Sequence, residues 1–136
     1  MRALAAVLAL GMAARCAHAP PAASGPALGE LFTLRAGESA SLRGERATIV
    51  FDRIVSDSRC AVDVQFIRAG EARAALRLEP GGGPEISFEL DTDRDRSQEV
   101  GGYRVTLVGV SPAPRSTVRI PASDYRVELT ISRSSR

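Results

Sequence analysis

Apolar and polar residues alternate along most of this chain beyond residue 30. In the stretch 125–131, every second residue is apolar and the residues between them are Arg, Glu and Thr. A period of two places successive side chains on opposite faces of a β-strand. Such alternation, or a run of β-branched residues, predicts strands at 31–34, 40–43, 47–55, 62–67, 71–79, 85–90, 103–110 and 125–131.

Glycine and proline mark turns between these strands, most densely over 80–84, where the sequence is Pro-Gly-Gly-Gly-Pro. Regularly spaced strands without a long helical pattern predict an all-β fold, either an antiparallel sandwich or a small barrel of about seven to eight strands. The local unit best supported by the pattern is a pair of hairpins that joins the strands at 62–67, 71–79 and 85–90. One helical turn is predicted at 121–124.

The start of the chain predicts export. Met1-Arg2 gives a positive start, and an apolar run over 3–14 follows and ends at Arg15. This arrangement is typical of a secretory signal. A retained membrane anchor is the alternative, but a spanning helix needs roughly 20 apolar residues. Ala17-His18-Ala19 fits the small-x-small pattern of a cleavage site. The expected location is the periplasm or the outside of the cell.

The predicted organisation is a signal peptide over 1–19, a flexible linker over 20–29 and a single β domain over 30–136. The linker prediction rests on a composition of Pro, Ala, Gly and Ser. Cys16 leaves a second route open, because a lipoprotein signal carries its lipid on a cysteine, although Arg15 departs from the small residues that usually precede it. Membrane attachment is expected only if Cys16 is lipidated.

Charge and composition exclude several function classes. Removal of the signal takes Arg2 and Arg15 with it, which leaves 16 arginines against 16 carboxylates and no lysine. An evenly mixed, neutral domain has no basic stripe, so nucleic-acid binding is not expected. The only histidine, His18, lies outside the predicted domain. Ser-His-Asp and Cys-His nucleophiles, imidazole zinc sites and Schiff-base chemistry all lack a required residue.

The segment Asp57-Ser58-Arg59-Cys60 follows the strand predicted at 47–55. Asp and Ser favour a turn there through side-chain bonds to nearby backbone N–H groups, and Arg59 is suited to fork onto a carboxylate. Together with Ala69-Gly70-Glu71-Ala72, Gly101-Gly102-Tyr103 and Asp124-Tyr125-Arg126, the segment resembles a family of functionally uncharacterised, exported or lipid-anchored bacterial β domains.

In that family the motif is Asp-Ser-Arg-Cys-Pro, followed by a second cysteine, a tryptophan and a glycine. This chain departs from it at three positions, where it has Ala61, Phe66 and Arg68. The resemblance implies that relatives close a disulfide which this chain lacks. Phe66 is expected to bury its ring on one strand face with Val62 and Val64 in place of the bridge.

Cys60 then becomes the single cysteine of the exported chain, unless Cys16 survives processing. The leading interpretation is a buried, inert thiol. The alternative is a reactive thiol that forms a mixed or intermolecular disulfide, with Arg59 lowering its pKa.

Carboxylates alternate in the segment from Asp91 through Asp93 to Asp95, which makes these three residues candidate ligands for calcium. The segment lacks two decisive residues of a calcium-binding EF-hand loop, because Arg96 stands at the turn glycine and Gly102 at the bidentate glutamate. A solvated, salt-bridged loop is the leading interpretation.

The predicted function is that of a non-catalytic β-sandwich of the cell envelope. It is expected to bind a protein, a peptide or a small ligand through its loop-lined end, without a cofactor. Arg59, Arg68 and Arg104 are candidate polar contacts. The alternatives are a calcium-binding envelope protein and a carboxylate-dependent hydrolase that uses Asp57 or Asp93.

Overall fold

The protein folds as two antiparallel β-sheets that pack face to face. The structure, a computed structural model, describes residues 24–65 and 70–135. The strands are β1 Phe32–Arg35, β2 Ser39–Ser41, β3 Ala47–Asp57, β4 Ala72–Pro80, β5 Ile86–Asp91, β6 Ser97–Val100, β7 Tyr103–Ser111 and β8 Arg126–Arg133. The first sheet has the strand order β1-β8-β7-β6, and the second has the order β2-β3-β4-β5. The predicted all-β class is confirmed as a sandwich.

Alternate side chains of both sheets form one hydrophobic core. In β4, Ala72, Ala74, Leu76 and Leu78 face inward while the residues between them are half-exposed, as the alternation predicts. Burial of each large aliphatic or aromatic side chain stabilises the fold by about 1.5–3 kcal/mol. The largest fully buried side chains include those of Ile49, Phe51, Leu76, Leu78, Leu107, Leu129 and Ile131.

β3 departs from strict alternation at two β-bulges. Its register with β4 shifts between Phe51 and Arg53 and again between Ile54 and Ser56. Each bulge adds one residue, so the inward positions Phe51, Ile54 and Asp57 are three residues apart. The second bulge therefore turns Asp57 toward the space between the sheets, where its side chain is only 11% exposed.

The prediction of a strand at 62–67 is wrong over its described part. Residues 62–64 form a turn and a bend, and Val62 and Val64 are 62% and 41% exposed. The backbone N–H of Val62 donates to the carbonyl of Pro114, a loop contact that replaces strand pairing. The expected hairpin with 71–79 is also wrong, because β4 pairs with β3 and β5. Phe66 and Arg68 lie outside the described residues.

The sequence pattern did not predict β6. This strand lies at the edge of the first sheet, pairs only with β7, and exposes Ser97, Gln98 and Glu99. It turns into β7 through Gly101 and Gly102, both with positive φ, as a two-residue hairpin turn requires. The predicted helical turn at 121–124 is confirmed as a 3-10 helix over Ala122–Asp124.

The described part of the expected linker is hydrogen-bonded to the domain. Arg43 donates its backbone N–H to Pro26 and its Nε to the carbonyl of Gly25, at 2.9 and 3.0 Å. Leu28, the first large apolar residue after the predicted signal, packs against the core. The predicted signal peptide, Cys16 and His18 lie outside the described residues. Within the described ranges, no helix has the length and apolarity needed to cross a membrane.

Candidate functional site

Residues 57–60 form a corner at the end of β3, where Arg59 joins the two sheets. The Asp57 carboxylate accepts hydrogen bonds from Arg59 Nε at 2.8 Å on Oδ1 and from Nη2 at 2.7 Å on Oδ2. The guanidinium also donates to the carbonyls of Val110 at 2.6 Å and Pro112 at 2.9 Å. Because Val110 lies in β7 of the first sheet, Arg59 closes this end of the sandwich.

Tyr125 completes the cluster by donating its hydroxyl to Asp57 Oδ2 at 3.0 Å. Burial alone would raise the pKa of Asp57, but hydrogen bonds from Arg59 and Tyr125 outweigh it and hold the pKa below its ordinary value. Burial and the bond to Asp57 raise the pKa of Tyr125. At neutral pH, Asp57 is therefore an ionised acceptor with both oxygens bonded, which suits a structural anchor.

The two halves of the sequence motif lie side by side at this corner. Ser58 donates its backbone N–H to Glu71 at 2.8 Å, and Glu71 returns a bond from its own N–H to Ser58 Oγ at 3.1 Å. A Cβ at Gly70 would overlap the carbonyl of Ser58. Glycine is needed there because the two chain segments pass in backbone contact.

The other predicted residues are distributed over the domain. Cys60 is half-buried at the corner. Arg104 lies on the outer face of the first sheet, where it pairs with Glu99 at 2.7 Å and is half exposed. Of the two described arginines expected as polar contacts, Arg59 lies at the corner and Arg104 does not, and Arg68 lies outside the described ranges.

A groove of about 380 Å³ opens beside the corner. Residues 54–57 of β3 form one wall, Pro114 and residues 118–120 form the other, and Tyr125 lies between them. Val55 and Val118 expose 43% and 57% of their surface. The volume is at the lower end of the roughly 300–1,000 Å³ of small-ligand sites. The sequence pattern did not predict the second wall. The feature that could have indicated it is the triplet Val118-Arg119-Ile120, two apolar residues around an arginine in a loop rich in Pro and Ser.

Contacts with residues 62–63 hold the second wall in place. Asp63 accepts the backbone N–H of Ser116 at 3.0 Å and its hydroxyl at 2.7 Å. These bonds lower the pKa of Asp63. The N–H of Val118 bonds to the carbonyl of Arg115 at 3.2 Å, which makes a tight turn of the segment between them. The loop over residues 114–120 is therefore hydrogen-bonded to residues 62–63, which follow the corner in the chain.

The candidate calcium ligands do not converge. Asp91 is 3% exposed, and its Oδ1 accepts the backbone N–H groups of Asp93, Arg94 and Asp95 at 2.8–3.1 Å. Burial opposes ionisation of Asp91, but these three bonds outweigh it and lower the pKa. Asp93 and Asp95 are exposed, as the solvated-loop interpretation expects. Among residues 24–65 and 70–135, no group of three or more His, Cys, Asp or Glu is arranged to hold a metal ion.

A second cluster of a carboxylate, an arginine and a tyrosine lies at the opposite end of the sandwich. Glu45 Oε2 accepts the hydroxyl of Tyr103 at 2.8 Å and Arg133 Nη2 at 2.7 Å. The Arg133 guanidinium lies 5.9 Å from the centroid of the Tyr103 ring, within cation–π range. Each of the two tyrosines of the chain thus donates to a carboxylate at the end of the other sheet.

Tyr125→Phe is expected to lower the free energy of unfolding by about 1 kcal/mol near neutral pH, the usual contribution of one hydrogen bond. Asp57 has a lowered pKa in the folded state, so its stabilisation is present above its ordinary value of 3.8 and is lost as the pH falls through the folded value. The loss from Tyr125→Phe should therefore shrink in acid. Urea unfolding at about pH 7 and about pH 3 measures it.

Ser97→Ala is the control for this measurement, because it removes a 2.7 Å hydroxyl bond to Thr106 that involves no carboxylate. Its effect should not depend on pH. An equal loss for Tyr125→Phe at both pH values would contradict the assignment of the Asp57 charge.

No protein-family model, curated protein or solved structure matches this chain. The resemblance to exported bacterial β domains therefore rests on the motif residues alone and stays a prediction.

Proposed function

We propose that this chain is an exported, non-catalytic binding domain of the cell envelope, and that it binds a protein, a peptide or a small ligand in the groove beside the corner. The observation that carries the proposal is the groove itself. Its aliphatic side chains Val55 and Val118 are exposed to solvent between two walls that the fold holds in place. Exposed apolar surface in a concave, braced site is typical of a binding surface.

The chemistry of the surrounding residues favours binding over catalysis. Histidine and lysine are absent from the sequence after His18, so the usual proton-transfer side chains are limited to carboxylates, tyrosines and one thiol. The carboxylate that borders the groove, Asp57, is ionised and bonded on both oxygens. A hydrolase that used Asp57 as an acid would have to break the contacts that close this end of the sandwich.

The proposal is tested with Val118→Asp, which places a charge on the apolar wall. Ligands are selected on the immobilised protein from a displayed peptide library and, separately, from a small-molecule library, and their affinities are then measured by titration calorimetry. Val118→Asp is expected to weaken binding by about tenfold or more, because the contribution of one buried valine is lost.

Val108→Asp is the matched control. Val108 lies in β7, is 40% exposed like the groove valines, and does not line the groove. Val108→Asp should leave the affinities of the selected ligands unchanged. Ligands that tolerate Val118→Asp, or a selection that enriches none, would remove the groove as the binding site.

A further inference from the structure

We infer that the groove binds a short extended peptide, which lies along the open edge of β3 and presents an aliphatic side chain next to a carboxylate. The inference rests on the proposed function, because it names the ligand class of the same groove. Three features of the groove carry it: a strand edge, an aliphatic wall and an available arginine.

The strand edge arises because β2 is much shorter than β3. β2 pairs with β3 only from Thr48 to Val50, and Gly37 and Glu38 extend the contact to Phe51. On its other side, β3 pairs with β4 as far as Asp57. In the described part of the chain, no strand covers the β2 side of residues 53–56. Such an edge is a template for an added strand.

The two bulges in β3 restrict which kind of strand can pair with this edge. They increase the local twist of the short uncovered segment at residues 53–56. A long flat strand, such as the edge of a second copy of the domain, would pair poorly with a short twisted segment. A peptide of a few residues can follow the twist, which favours a short segment as the occupant.

The aliphatic wall supplies a place for a side chain of that peptide. Residues 54–57 of β3 and the loop residues Pro114, Val118 and Ile120 border the same groove. A peptide paired to β3 therefore has Val118 beside it. Side chains of an extended peptide alternate, so one of every two can enter the groove while its neighbour points to solvent.

The charge of the groove favours an anion. Arg119 is exposed, and it makes no hydrogen bond or ion pair with the residues that the structure describes. Asp57, the one acidic side chain among the described lining residues, is neutralised by Arg59 at 2.7 Å. The groove thus presents one positive charge without a competing negative one, and a peptide carboxylate fits it.

The inference is tested with the acetylated pentapeptide Ala-Val-Thr-Val-Ala, made with a free carboxylate and as the amide. Titration into the isotope-labelled protein should shift the backbone amide resonances of residues 53–57 and 118–120. The amide form should bind about fivefold more weakly, the effect of an exposed ion pair. Arg119→Gln should reduce the affinity of the carboxylate form to that of the amide and leave the amide unchanged.

Arg115→Gln is the matched control, since Arg115 is exposed in the same loop but does not line the groove. It should leave both affinities unchanged. N-methylation of the peptide at alternate residues should abolish binding for one set of positions and spare the other, because only one set pairs with β3. Equal effects at all positions, or an Arg119→Gln variant that binds both forms like the wild type, would overturn the inference.

Other occupants give distinguishable results. A groove that binds acetate as tightly as the pentapeptide, or a concentration-dependent dimer that shifts residues 53–56, would overturn the peptide assignment. If selected non-peptide ligands still depend on Val118, the inference fails while the proposed function stands. If no ligand of any class responds to Val118→Asp, both fail.

Discussion

Arg59→Ala is expected to lower the free energy of unfolding by about 3 kcal/mol, the lower end of the range for breaking a buried ion pair. The variant leaves the Asp57 carboxylate 11% exposed with Tyr125 as its remaining side-chain donor. It also removes the bonds to the carbonyls of Val110 and Pro112, so the two sheets lose two of the hydrogen bonds that join them at this end. Urea unfolding measures the change directly.

Arg104→Ala is the matched control for this prediction. The Arg104–Glu99 pair has the same 2.7 Å separation as Arg59–Asp57, but both of its side chains are about half exposed. An exposed pair contributes about 0–1 kcal/mol. The melting temperature should fall by about 10 °C or more for Arg59→Ala and by a few degrees at most for Arg104→Ala. Equal effects would contradict the role assigned to Arg59.

Gly70→Ala is expected to cost about 3 kcal/mol, the upper end of the usual range for overpacking. The added methyl group would overlap the backbone carbonyl of Ser58 and lie 2.9 Å from its Oγ. Backbone atoms cannot move aside as the tip of a flexible side chain can. The backbone segments at Ser58 and Gly70 must therefore move apart, and the hydrogen bonds between Ser58 and Glu71 are lost.

Gly83→Ala provides the comparison, because its Cβ would meet only the Pro80 ring, at 3.3 Å. This exposed position should change the stability by about 0.5 kcal/mol or less. Amide resonances should shift around residues 57–60 and 70–72 in Gly70→Ala and around the turn after β4 in Gly83→Ala. A Gly70→Ala variant as stable as the wild type would show that the corner tolerates separation.

The sequence pattern predicted the strands that have one wet and one dry face. Apolar and polar residues alternate in β4, β5, β7 and β8, because one face of each strand packs on the core. This alternation can be read from the sequence of each strand without knowledge of its neighbours. β6 escaped prediction since it is a polar edge strand whose pairing with β7 determines its conformation. Residues 62–65 include two valines, which favour a strand. The segment forms a loop instead, and it is held by a bond such as that from Ser116 to Asp63, 53 positions apart, which the local sequence does not reveal.

The same distinction holds for the candidate site. Local chemistry predicted a turn at Asp57 and Ser58 and a fork from Arg59 onto some carboxylate, and the structure places that fork on Asp57 itself. The bond from Tyr125, 68 positions away, and the second wall of the groove depend on how the sheets pack. Asp91 illustrates the limit differently. The alternation of carboxylates over 91–95 does not by itself tell a carboxylate that binds calcium from one that, like Asp91, binds three backbone N–H groups.

The docked N-terminal segment gives the domain a fixed polarity. Residues 25–26 bond to Arg43 just before β3 begins, whereas the groove lies where β3 ends. The eleven residues of β3 span roughly 30 Å. The chain could be attached through this N-terminal segment, by a lipid on Cys16 or by another anchor. The point of attachment and the groove would then lie at opposite ends of β3. The groove would therefore face away from the surface that anchors the domain.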